Sequence, residues 1–190
     1  MDKIRQWKWP LFIIILLGGL VWFVQHFRNY RENSQDKHIL AAAHRYGVEP
    51  ALIKAVVWRE SWFNPTVKGG KGEIGLMQIR KDAAGDWAVA EQVRFFAHQQ
   101  LFDPGKNTLA GTWYLKKLLA RYPQADDPVA YALADYNAGR TPVLRWAKGA
   151  AATNSALFIE QIGFPSTRDY VRTVMRRCEY YRRARFGTNQ

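Results

Sequence analysis

Fifteen consecutive residues, Pro10 to Val24, carry no charged side chain, and this run constrains the chain's organisation more than any other feature. An apolar stretch this close to the N-terminus reads as a membrane-inserting helix, with Trp7, Trp9 and Trp22 placed where membrane interfaces favour amphipathic rings. At about 1.5 Å per residue the run reaches roughly 22 Å, short of a hydrocarbon core of about 30 Å. The flanking tryptophans and Phe27, or a locally thinned bilayer, have to supply the remainder. Lys3, Arg5 and Lys8 precede the run while Arg28 and Arg31 follow it, so the positive-inside rule orients it only weakly. A removable signal would need a small-x-small cleavage site soon after the run. Gln25, His26, Phe27 and Arg28 stand there instead, and the first small triplet is Ala41-Ala42-Ala43. The sequence therefore predicts an uncleaved single-pass anchor within residues 1–27, a polar linker over 28–36 and a folded domain over 37–190.

Beyond the linker the apolar periodicity is helical almost throughout, and the fold class expected is all-α. Ile39, Leu40, Ala43 and Tyr46 share one face, with Gly47 as a stop. Pro50 opens a second helix with a buried stripe of Leu52, Ile53, Val56 and Val57, closing at Asn64-Pro65. Further helices are predicted over 108–122 with Asn107 as N-cap, over 128–137 after Asp127, over 156–162 after Ser155, and from Pro165 to about Arg185. The glycine-rich stretch Lys68-Gly69-Gly70-Lys71-Gly72 is a loop, with room for a small hairpin at most. Of the formal net charge of +12, the first 35 residues hold +3 and the remainder +9, so the folded part itself suits an anionic partner. The single cysteine, Cys178, excludes an internal disulfide framework, and the four histidines show no metal-ligand spacing.

Chemistry enters at the end of the second helix. Arg59, Glu60 and Ser61 follow an apolar run, and burial there, with Trp58 and Trp62 on either side, would raise the pKa of the Glu60 carboxyl and keep it protonated as a general acid. A lone helix-end glutamate is more often a solvated charge or an arginine's partner. Three later segments change that weighting: Gly72-Glu73-Ile74-Gly75-Leu76-Met77-Gln78, Ala132-Leu133-Ala134-Asp135-Tyr136-Asn137-Ala138-Gly139, and Gly163-Phe164-Pro165-Ser166-Thr167-Arg168-Asp169-Tyr170-Val171. In this order, after Glu60-Ser61, they resemble the catalytic domain of the soluble lytic transglycosylase family, a branch of the lysozyme-like superfamily, over about residues 37–185.

The resemblance implies a lysozyme-like helical domain with a cleft, peptidoglycan glycan strands as substrate, no cofactor and no metal. It implies Glu60 as the single catalytic acid, with Ser61 beside it, Met77 and Gln78 under the sugar, Tyr136 and Asn137 facing the glutamate and the saccharide, and Tyr170 aimed back at the carboxyl. Such a domain would face the periplasm or the outer side of a bacterial cell membrane. The family's reaction cleaves the bond between N-acetylmuramic acid and N-acetylglucosamine with 1,6-anhydro ring closure. Glu73 and Gly69 depart from the family pattern, which commonly has alanine and serine there. With Glu73 as a second acid, the alternative is lysozyme-like hydrolysis by Glu60 and Glu73; another is an inactive wall-binding tether. A nucleic-acid binder would explain the charge, yet zinc spacing, a ribonucleoprotein motif and a basic coiled coil are all missing.

Overall fold

The computed structural model describes residues 8–184, 186 and 187, with side chains from Phe12 onward. Lys3, Arg5, Trp7 and Arg185 lie outside the described residues, as do the side chains of Lys8 and Trp9. The chain divides into two compact units after Gln35.

The first unit is one helix, α1 (Lys8–Asn33), which runs through the stretch expected to be a polar linker and leaves Ser34 and Gln35 as the break. Its 26 residues reach about 39 Å, so the apolar run is extended by a helical, charged final turn and a half rather than by loop. Every large apolar side chain from Phe12 to Val24 is between 46% and 67% exposed. Helix α1 is long and apolar enough to cross a membrane.

The second unit is all-α, made among the described residues of α2 (Asp36–Tyr46), α3 (Pro50–Ser61), α4 (Lys81–Ala90), α5 (Pro104–Leu119), α6 (Pro128–Ala138), α7 (Arg140–Trp146), α8 (Ser155–Gln161) and α9 (Pro165–Arg183), with short 3₁₀ turns at His98–Phe102 and Gly149–Ala152. Four of these helices, α3, α5, α6 and α9, begin on proline, whose fixed φ and missing N–H suit a first turn. Helix α3 lies at the centre, packed along α9 on one side and α2 on another. Because it is apolar all round, Leu52, Ile53, Val56 and Val57 are buried, and Ala51 and Ala55 as well. Lys54 is the exception at 2% exposure. Its Nζ is 2.6 Å from Asp36 Oδ1 and sits 4.0 Å from the Phe186 ring centroid, which offsets a desolvation cost that an isolated ammonium could not bear.

Several boundaries differ from the sequence reading. Helix α3 stops at Ser61, three residues early, because Trp62 and Phe63 both take left-handed backbone (φ 51° and 59°). Helix α5 starts at Pro104 with Asp103 as its cap, accepting from Lys106 N, and Asn107 is not a cap but a fully buried side chain in the first turn. Asn154, rather than Ser155, caps α8 by accepting from Leu157 N, while Asp127 caps α6 as expected. On α9 the basic side chains are spent within the domain. Arg172 pairs with Glu160, Arg182 with Glu49, Arg183 with Glu179, Arg168 donates to Ile162 O, and Arg177 lies over Trp58 and Tyr180. Cys178 is buried on the same helix and burial pushes its thiol up to about 12.

Candidate active site

The glycine-rich segment folds as a tight loop against the end of α3. Antiparallel bridges pair Lys68 with Ile74 and Ile74 with Ile79, which is the extent of extended pairing among the described residues. Three buried ties hold it. Asn107 Nδ2 donates to Ile74 O (2.9 Å) and Leu101 O (2.8 Å) while its Oδ1 accepts from Met77 N (2.8 Å); Ser61 Oγ lies 2.8 Å from Leu76 O; and Tyr136 OH donates to Met77 O at 2.6 Å. Gly75 is required twice over, by φ +78° and because a Cβ would stand 2.1 Å from Asn107 Nδ2.

Above this loop opens a cavity of about 280 Å³, lined by Glu60, Glu73, Gln78, Tyr114, Tyr136 and Asn137, with Lys71, Arg80 and Asp135 also at its wall. Glu60 is half-buried, and its Oε1 accepts from Tyr170 OH at 2.6 Å. Desolvation raises the Glu60 carboxyl to about 7; the Tyr170 hydrogen bond and the Arg59 charge pull it back, and the Glu73 charge adds to the rise. Tyr136 and Tyr170 are held well above the ordinary phenol value, chiefly by burial and next by the charge of Glu60, so both remain hydrogen-bond donors. Arg59 stands 3.6 Å from Asp169 and over the Tyr170 ring (5.5 Å to its centroid), steadying the tyrosine that reaches Glu60.

Trp58 and Trp62 do not face the cavity beside Glu60. Two residues along a helix is about 200° of rotation, so a side chain at 58 leaves the opposite face from one at 60. Trp58 instead lies tilted against Trp62 (centroids 5.4 Å apart) and under Arg177, and neither tryptophan lines the cavity.

Four sequence-derived candidates meet at the cavity wall with Glu60: Glu73, Gln78, Tyr136 and Asn137. Tyr170 joins them through its bond to the carboxyl. Ser61 and Met77 do not. The Ser61 hydroxyl is committed to the carbonyls of Val57 and Leu76, and Met77 is fully buried, packed so tightly on α5 that a Cβ on Gly111 would meet its Sδ at 2.4 Å. Both shape the loop from beneath. Gln78 spends its Nε2 on Val67 O (3.1 Å) and Gly75 O (2.9 Å), leaving the amide oxygen to the cavity. Asn137 Oδ1 accepts from Thr167 Oγ1 (2.8 Å), which leaves its Nδ2 to face outward as a donor.

Sequence reasoning passed over Asp135, a further acid at the wall. It is 1% exposed and its Oδ2 accepts from Tyr122 OH (2.7 Å) and Arg121 Nη1 (2.9 Å), so that oxygen is taken. Tyr114 is a further aromatic at the cavity edge, its ring tilted against Tyr136 with centroids 5.6 Å apart. Among the described residues no group of three His, Cys, Asp or Glu could hold a metal ion.

A family model described as the transglycosylase SLT domain matches residues 37–159, about two thirds of the chain. The chain belongs to this family. Within it, the chain is 30% identical over 180 residues to the soluble lytic murein transglycosylase of Escherichia coli K12, covering 94% of this chain and 27% of that protein. Membrane-bound lytic murein transglycosylase C of Yersinia enterocolitica is 32% identical over 137 residues, 66% of this chain and 38% of that one. The fold of an inactive mutant of lytic transglycosylase Slt from Pseudomonas aeruginosa superposes with a TM-score of 0.72 at 26% identity, covering 80% of this chain and 24% of that one. This SLT-family chain thus spans about a quarter of the length of the first curated relatives it matches.

Proposed function

We propose that this chain is a membrane-anchored lytic transglycosylase that cleaves the β-1,4 bond between N-acetylmuramic acid and N-acetylglucosamine in peptidoglycan. The observation that carries the reading is Glu60 itself: a carboxyl raised to about 7 at the wall of a sugar-sized cavity and held by Tyr170, while the other buried acid at that wall, Asp135, is bonded to Tyr122 and Arg121. A group with that pKa is protonated often enough at neutral pH to give its proton to a glycosidic oxygen, and basic enough afterwards to take one back. Glu60 protonates the leaving oxygen, the substrate's acetamido group stabilises the oxocarbenium-like centre, and Glu60 then removes the proton of the C6 hydroxyl, which closes the 1,6-anhydro ring. An intramolecular nucleophile enjoys a large effective concentration, so water need not be activated. Gln78 Oε1 and Asn137 Nδ2 offer one acceptor and one donor to the sugar, and Tyr136 holds the loop carbonyl of Met77. The lysozyme-like relationship, the membrane-bound relative and the exposed apolar surface of α1 support residues 1–27 as a single-pass anchor and 37–190 as a catalytic domain on the periplasmic or outer side.

Digestion of purified peptidoglycan followed by mass spectrometry of the fragments tests this. Anhydro-ended fragments are expected. Reducing-end fragments that disappear in Glu73→Ala would make the chain a two-acid hydrolase, and no release of fragments at all would leave a wall-binding tether.

A further inference from the structure

Gly69 is a glycine for a reason its backbone does not supply. Gly72 (φ +84°) and Gly75 (φ +78°) in the same loop adopt left-handed conformations, whereas Gly69 does not. What a side chain at 69 would meet is two oxygens. A Cβ there would lie 2.5 Å from Glu73 Oε2 and 2.8 Å from Gln78 Oε1, both under any real contact distance, and 3.2 Å from Glu73 Cβ.

Neither oxygen is free to swing aside. Glu73 Oε2 accepts from Lys71 N at 2.9 Å, and Gly69 N donates to Glu73 O at 2.7 Å, fixing both ends of that residue on the loop. The Gln78 amide is oriented by the two carbonyls that take its Nε2. A bare Gly69 therefore lets a carboxylate oxygen and an amide oxygen converge beside its backbone, where a side chain would otherwise stand. Gln78 Oε1 accepts no hydrogen bond from the described residues. Two acceptors held close together repel each other, and a donor placed across them turns that repulsion into a shared, bifurcated hydrogen bond. Both residues line the cavity that holds Glu60.

We propose that Gly69 is kept bare so that Glu73 Oε2 and Gln78 Oε1 form a paired acceptor for one O–H or N–H donor of the saccharide, making Gly69 and Glu73 a single specificity unit in the cleft. This rests on the reading of the cavity as a saccharide site. Glu73 is then a substrate-positioning residue and not a base for water. A side chain at 69 and a carboxylate at 73 are alternatives for the same volume, so each is tolerated only when the other is small. Ser at 69 would bring a hydroxyl to the place the Glu73 carboxylate now fills.

The test is a double-mutant cycle with two readouts: cleavage of peptidoglycan, and calorimetric binding of a peptide-free tetrasaccharide of alternating N-acetylglucosamine and N-acetylmuramic acid, the binding measured in the Glu60→Gln background. Glu73→Ala should weaken tetrasaccharide binding about tenfold and raise KM with little change in kcat, the signature of lost positioning. Gly69→Ser should weaken binding at least as much. The pair Gly69→Ser with Glu73→Ala should bind better than the product of the two single losses by about tenfold, since the volume conflict is gone and a polar atom has returned. Glu73→Gln, which keeps the shape and one acceptor oxygen, should fall between wild type and Glu73→Ala and guards against a fold defect, as does an unchanged near-ultraviolet circular dichroism spectrum. Strictly multiplicative losses, or a Gly69→Ser protein that binds as wild type does, would overturn the proposal. Binding that follows the cycle while the wild-type protein releases no glycan fragments would overturn the enzymatic reading and leave the paired acceptor standing.

Discussion

The floor and the lip of the cleft are built in opposite ways. The floor, Glu60, Tyr136, Asn137 and Tyr170, comes from three helices far apart in sequence, with α9 packed against both α3 and α6, and its central bond joins residues 110 positions apart. The lip, residues 68–78, is a short loop held by its own turns and by a few ties to buried side chains. The difference shows in the two carboxylates. Glu60 on the floor is pushed by desolvation to a value where it trades protons near neutral pH, while Glu73 on the lip accepts a backbone N–H at the cavity rim. On the proposed reading, the proton-transfer group sits where the solvent has been displaced by packing, and the group that only holds the sugar sits on a loop.

The comparison breaks first if Glu60→Gln retains activity. Loss of more than about 100-fold in kcat is expected, because the amide keeps the shape and cannot deliver a proton. The same variant carries a stability signature. The folded protein holds Glu60's proton up to about 7, above the unfolded value, so wild-type stability from this group is complete at low pH and is lost as pH rises through 7. Melting curves should therefore show Glu60→Gln gaining on wild type by a few degrees at pH 8 and gaining little at pH 4. A melting difference that does not change with pH would place Glu60 in solvent.

Asn107→Ala separates lip from floor. Three hydrogen bonds to the loop and the 3₁₀ turn are lost, at a cost of about 2–4 kcal/mol; Met77 N–H and Leu101 O lose the Asn107 side chain, while Ile74 O keeps its bond from Ile79 N. Thermal unfolding should shift down while the Glu60–Tyr170 pair survives, so activity should fall about tenfold through KM rather than kcat.

Smaller effects come from the two groups that tune Glu60 in opposite directions. Tyr170→Phe removes the bond that favours the ionised carboxyl, so the alkaline limb of the pH–rate profile should move to higher pH, with kcat lowered about tenfold by lost orientation. Glu73→Gln removes a neighbouring negative charge, so the same limb should move to lower pH by a smaller amount. Shifts of the same sign in both variants would refute the assignment of these influences. Removing residues 1–35 should change the least: cleavage of soluble glycan at the wild-type rate, with the protein recovered from the soluble fraction instead of the membrane.

Much of this was legible before any coordinates. Prolines at helix starts, the Asp127 cap and the four ordered motifs located the helices that meet at Glu60, since these signals are local or sit in contiguous segments. Helix α4 went unplaced because its surface mixes Gly85, Asp82 and Asp86 with only Ala84, Trp87 and Ala88 buried, too weak a stripe to read. Asn107 was mistaken for a cap because asparagine at a helix start usually is one; the partners that reassign it lie up to 33 residues away. The faces of Trp58 and Ser61 followed from helix geometry alone and could have been derived.

Asp36, the first residue of the folded unit, is bonded to Lys54, and Lys54 stands six residues before Glu60 on the same helix. The start of the folded unit is therefore pinned at Asp36. An insertion at Ser34-Gln35 leaves Asp36 in place, but a cut after Asp36 would take away the carboxylate 2.6 Å from the buried Lys54 ammonium. The joint for a fused or exchanged N-terminal module therefore belongs before Asp36, where the buried Lys54 keeps its carboxylate.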